Sequence, residues 1–170
     1  STLLTNVMEE VGMGLAPLGE EQAEIAHRAM AGSLLRTESA LGLMARMAGD
    51  HQKARRHLAR ALHLATLVDD VGSECKAMRR LGMLALQSED YPRALNLFST
   101  AANQPTVHDA DAVPSMVLAA IASSLTGDAS TAETWVNNAS SHLMADPSAG
   151  STVLERVGKA LLAIDRPELA

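Results

Sequence analysis

Apolar positions along this 170-residue chain recur at intervals of three and four, and short polar or glycine-bearing breaks separate the runs. Intervals of that size line one face of an α-helix, so the pattern predicts helices joined by tight turns. Residues 2 to 14 and 20 to 31 form a first predicted helix pair within 1–33, divided by the break Gly14-Leu15-Ala16-Pro17-Leu18-Gly19. Three units follow, at 34–72, 73–111 and 112–146, and then a last helix within 150–165. All belong to one expected domain, 1–170, since a chain of this length buries a sufficient core by itself.

The three middle units share a frame that needs no gaps. Gly42, Gly82 and Ala120 are followed eight positions later by Asp50, Asp90 and Asp128, twelve later by Ala54, Ala94 and Ala132, and nineteen later by Ala61, Ala101 and Ala139. The frames lie 40 and then 38 residues apart, a period that signals stacked helical hairpins. Gly49-Asp50, Glu89-Asp90 and Gly127-Asp128 mark the turns, where an aspartate accepts hydrogen bonds from the free amides that open the next helix. Pro92 fits the first turn of such a helix, where its missing N–H costs nothing.

The small residues have a packing reason. A glycine or alanine where two antiparallel helices cross lets the backbones approach, and Leu58, Phe98 and Val136 are expected to fill the space beside it.

This pattern resembles the tetratricopeptide repeat family. The second unit carries it through Leu81, Gly82, Tyr91, Ala94, Phe98 and Ala101, with Pro105 after the second helix. The first unit matches through Leu41, Gly42, Ala54, Leu58 and Ala61, but has Glu38 where an aromatic is usual. The third has Ala119 and Ala120 and no aromatic before them. Against the family's usual period of ~34 residues, these repeats are lengthened, like those of kinesin light chain or of the helical arms of bacterial signal-transduction regulators. The resemblance spans residues 34 to 145 and implies an all-α fold: a right-handed α-solenoid of antiparallel helix pairs. Val153 to Ile164, apolar on one side, suits a C-terminal capping helix. An unrelated helical bundle is the competing architecture.

In this family the first helices line the concave side, which implies where a ligand surface lies. Relative to Gly42, residues Arg36, Ser39, Leu43, Arg46 and Met47 fall within about a 100° arc of the helix. The same offsets give Lys76, Arg79, Met83, Leu86 and Gln87 in the second unit, and Val117 and Ile121 among others in the third. Such a face is either a groove for a partner with acidic and apolar side chains or a surface packed against a neighbouring helix. The family's clamp for chaperone tails is not reproduced: Ser39, Leu43, Pro114 and Leu118 stand where its Lys, Asn, Lys and Arg are needed.

Composition adds few further possibilities. Three aromatic residues (Tyr91, Phe98 and Trp135) leave the packing to Leu, Ala, Met and Val, which favours helix. A net charge of −6 argues against a general nucleic-acid binder. The lone Cys75 forms no internal disulfide and lacks metal-ligand neighbours, which fits a cytoplasmic location. No apolar run is long enough to span a membrane.

Catalytic chemistry is not apparent. His51, His57 and His63 are six apart and scatter over different helix faces. His108-Asp109-Ala110-Asp111 suits turn and cap chemistry better than a metal site. The basic group Lys53, Arg55, Arg56 and Arg60 suits a solvated outer face. No nucleotide, zinc-protease or serine-hydrolase motif occurs. The expectation is therefore a non-enzymatic module without a cofactor or metal, binding a peptide or helix of a partner protein in the concave groove. The alternative is a sensory or regulatory domain of a larger signalling or transcription regulator.

Overall fold

The computed structural model describes residues 20–104 and 109–145. They form six helices: α1 (Glu20–Met47), α2 (His51–Leu67), α3 (Val71–Gln87), α4 (Tyr91–Ala102), α5 (Asp109–Leu125) and α6 (Ala129–Ala145). No strand occurs among the described residues. The helices expected over 2–14 and 150–165 lie outside them.

One turn device recurs four times. Gly49, Asp69, Glu89 and Gly127 have positive φ, at 77°, 57°, 58° and 84°. The next residue is an aspartate in each case. The backbone N–H groups of Asp50, Asp70, Asp90 and Asp128 donate back to the carbonyls of Ala45, Ala65, Ala85 and Ser123. Those bonds satisfy carbonyls that the ending helix leaves open. The same aspartates accept, through their carboxylates, the backbone N–H of Lys53, Ser73, Arg93 and Thr131. Each aspartate thus closes one helix and opens the next. The turn at Asp69-Asp70 is not among the expected ones, because it joins two units and the shared frame marks only the turn inside each unit.

The frame's small residues are buried as expected: Gly42, Ala54 and Ala61, then Gly82, Ala94 and Ala101, then Ala120, Ala132 and Ala139. A β-carbon on Gly42 would stand 2.7 Å from Cγ of Leu58, and one on Gly82 would stand 2.5 Å from Cε1 of Phe98. Leu58 and Phe98 are fully buried. Val136 departs from this scheme and is 52% exposed. Its neighbour Trp135 turns inward instead, packing on the cluster that holds Phe98, Val113 and Leu118. No described helix covers the side of α6 on which Val136 lies.

α1 also corrects the expected boundary at residues 33 and 34. It runs unbroken through Gly32, so residues 20–31 are not a separate helix. A single glycine costs a helix only about 1 kcal/mol, and no proline interrupts this stretch. α1 has 28 residues against 17 in α2. Its buried stripe, Ala31, Leu35, Glu38, Gly42 and Ala45, lies on the part that α2 covers, while residues 21–30 overhang.

Each helix packs on its sequence neighbours, and α3 also touches α5 directly. Leu81 and Leu84 of α3 are buried with Ala54 and Leu58 of α2. Leu41 and Met44, 40 residues earlier, are 38% and 65% exposed. Equivalent positions thus differ because α2 precedes α3, whereas no described helix precedes α1.

Candidate functional site on the first helices

The expected groove is split by burial. On α1, Arg36 and Met47 are exposed, and Ser39, Leu43 and Arg46 are half-buried. On α3, Lys76 is exposed and Arg79 and Gln87 are half-buried, but Met83 and Leu86 are buried in the main core. Val117 and Ile121 of α5 pack against that same core while remaining partly open. The cause is the direct packing of α5 on α3, which covers part of the arc that a single-helix projection leaves open. Met83 and Leu86 therefore belong to the core, and the polar and basic positions remain at the surface.

Arg80 enters the site although the helical projection omitted it. Burial holds its guanidinium below the usual arginine range, and the charges of Arg79 and then Arg46 push in the same direction. Three arginines from α1 and α3 therefore share one electrostatic neighbourhood. Arg46 Nε is enclosed and has no hydrogen-bond partner. The ion pairs among the described residues are Arg28–Glu24, His57–Glu38 and Arg60–Glu38, none of which uses Arg46 or Arg80. The available sequence signal was the adjacent pair Arg79-Arg80 in an otherwise largely apolar helix.

Glu38 explains the missing aromatic of the first unit. It is 8% exposed, and its Oε2 lies 2.6 Å from His57 Nδ1 and its Oε1 3.7 Å from Arg60 Nη1. A polar bridge between α1 and α2 replaces a ring. Beside it, Leu34, Ala59, His63 and Leu64 line an open cleft of about 430 Å³.

No group of three His, Cys, Asp or Glu residues suited to a metal occurs among the described residues. Lys53, Arg55, Arg56 and Arg60 are exposed on α2. Cys75 is buried, its thiol donating to the carbonyl of Ala101 at 3.4 Å. No described helix is long and apolar enough to cross a membrane. His108 lies outside the described residues.

Residues 33–104, from mid-α1 past the end of α4, match the family model described as tetratricopeptide repeat. Neither curated proteins nor solved structures give a match to the chain.

Proposed function

From the membership of residues 33–104 in the tetratricopeptide repeat family, we propose that this chain holds a segment of a partner protein across the first helices of successive repeats. Repeats of this family generally mediate protein–protein interaction and are typically non-catalytic. The partner segment carries acidic side chains, which meet Arg46, Arg79 and Arg80, and apolar ones, which meet Leu43, Met47, Val117 and Ile121.

The observation that carries this reading is an imbalance of charge. Arg36, Arg46, Lys76, Arg79 and Arg80 lie on the same stretches of α1 and α3 as two acids, Glu38 and Glu74. Both acids are engaged elsewhere: Glu38 by His57 and Arg60, and Glu74 by the Thr66 hydroxyl at 2.8 Å. A face on which cationic side chains outnumber carboxylates favours acidic partners, which guanidinium groups bind through charge-assisted hydrogen bonds.

The test is affinity capture from the source cell with the wild-type chain and with Arg46→Glu combined with Arg79→Glu. The double variant is expected to keep its helical circular dichroism and to lose the partner. Equal retention by both proteins would overturn this placement of the site.

A further inference from the structure

One side of α1 carries a heptad stripe that no described helix covers. Met30, Leu34, Thr37, Leu41 and Met44 recur at alternating steps of four and three residues. The same steps continue back through His27 to Ala23, and all of these positions fall within about a 100° arc of the helix. Such spacing is the seam along which one helix packs on another. Met30, Leu34, Leu41 and Met44 are 39%, 46%, 38% and 65% exposed. Thr37 donates its hydroxyl to the carbonyl of Ser33, 3.1 Å away, so its polar group is satisfied within its own helix. In the next repeat the equivalents of Leu41 and Met44, Leu81 and Leu84, are buried against a helix, α2.

Length decides what kind of occupant fits. From Ala23 to Met44 the stripe runs about 32 Å at 1.5 Å per residue. The helix expected over 2–14 would extend only about 20 Å from the Glu20 end of α1, and would leave Leu41 and Met44 uncovered. A helix as long as α1 itself is required. Laid antiparallel on a second α1 about a two-fold axis at Leu34, the stripe matches itself. Ala23 then meets Met44, His27 meets Leu41 and Thr37 meets Met30, so that smaller residues face larger ones. The cleft of about 430 Å³ lined by Leu34 and Leu64 opens beside that axis and gives the second Leu34 a place.

Charge points to the same arrangement. α1 opens with Glu21 and Glu24, whereas α2 carries Lys53, Arg55, Arg56 and Arg60 and no acid. Lys53 and Arg56 lie on the same side of α2 as Arg60, which borders the cleft. Arg60 is paired with Glu38 and Glu24 with Arg28, but neither Lys53 nor Arg56 enters an ion pair among the described residues. α2 turns back from the end of α1 at Asp50. In the antiparallel pair, the acidic start of one α1 therefore runs beside the basic start of the other copy's α2. A contact about 32 Å long and two helices wide covers on the order of 640 Å² per copy, close to the ~800 Å² of a standard stable interface.

We propose that the face from Ala23 to Met44 is a dimer interface, and that its occupant is α1 of a second copy of this chain, packed antiparallel across a two-fold axis at Leu34. Arg36, Leu43 and Met47 lie on a different side of α1, so the dimer leaves the partner groove open and does not depend on it.

Sedimentation equilibrium of the 170-residue chain tests this directly. The expected result is a reversible dimer that weakens as salt rises. Leu34→Glu is expected to give a monomer with unchanged helical circular dichroism, since Leu34 is already half-exposed. Lys53→Glu with Arg56→Glu is expected to weaken the dimer about tenfold, and the addition of Glu21→Lys with Glu24→Lys to restore it. Under mild oxidation, Leu34→Cys is expected to trap a covalent dimer and Val136→Cys, on the exposed side of α6, to trap none. The native Cys75 is buried and does not compete.

A chain that stays monomeric up to roughly 1 mM would overturn the proposal. If the Leu34→Cys thiol of such a monomer resists alkylation, the face belongs to another segment of the same chain; if it reacts freely, to a different protein. A dimer that survives Leu34→Glu, or assembly beyond two copies, would refute this face and its two-fold symmetry. Charge reversal without rescue would refute the antiparallel register.

Discussion

Phe98 lies directly over Gly82: a β-carbon built on the glycine would fall 2.5 Å from Cε1 and 2.8 Å from Cζ of the ring. Both residues are buried, so α3 and α4 have no room to separate without exposing core. Gly82→Ala is expected to destabilise the protein by about 1–3 kcal/mol, the usual cost of overpacking, despite alanine's better helix propensity. Gly32→Ala supplies the control, because nothing lies within 4 Å of its β-carbon position. There the gain in propensity is unopposed, and stabilisation by about 0.5–1 kcal/mol is expected. Denaturant melts of the two variants check both signs.

Asp70 gives a pH-dependent prediction. The backbone N–H of Ser73, and then its hydroxyl, hold the Asp70 carboxyl below the usual aspartate range. Asp128 is held down likewise by the hydroxyl of Thr131 and then by its backbone N–H. A folded-state pKa below the unfolded one adds stability that is complete above the unfolded value, ~3.9, and is lost as pH falls through the folded value. Asp70→Asn keeps a capping oxygen and does not titrate. Its stability is expected to fall less steeply than wild type below about pH 4, as read from urea midpoints across the acid range. Asp70→Ala removes the cap and is expected to cost about 1 kcal/mol at neutral pH.

Glu89 occupies the left-handed turn position at φ 58°, where Gly49 and Gly127 stand in the equivalent turns. A side chain with a β-carbon costs about 1 kcal/mol in that region. Glu89→Gly is expected to offset its larger unfolded-state entropy with relief of that strain, raising the thermal midpoint. An unchanged or lower midpoint would show that the Glu89 side chain contributes to the fold.

The bridge from Glu38 to His57 predicts non-additivity. Glu38→Ala leaves His57 half-buried without its 2.6 Å partner, and a loss of about 2 kcal/mol is expected. Glu38→Gln retains a hydrogen-bonding oxygen and is expected to lose less. In a double-mutant cycle, adding His57→Ala to Glu38→Ala is expected to cost much less than His57→Ala costs alone.

The legible parts of this protein are those fixed by neighbours in sequence. An aspartate accepts the amide three residues on, and a glycine turns the chain where it stands. Asp50, Asp90 and Asp128 and the positions of the small residues follow from such local requirements. The turn at Asp69-Asp70 was equally local, but its cue was the 20-residue spacing of Asp50, Asp70 and Asp90 rather than a glycine. Glu38 showed in the sequence as a departure from the repeat pattern, without showing His57 as its partner 19 residues away.

Which face of a helix remains open could not be read from one helix at a time. Met83 and Leu86 share an arc with Arg79, yet α5 covers them and leaves Arg79 half-open. Arg80 gained its place from burial and from the charges of Arg79 and Arg46, which hold its guanidinium below the usual arginine range. Val136 is left exposed and Trp135 packs inward instead, because burial depends on which elements surround α6. Sequence by itself determined the helical class, the caps at Asp50, Asp90 and Asp128 and the crossings of Gly42 with Leu58 and Gly82 with Phe98, since each is a short-range steric or hydrogen-bonding demand. The tertiary structure alone decided which side chains meet solvent and which cations meet one another, because burial and Coulomb interaction depend on every element nearby.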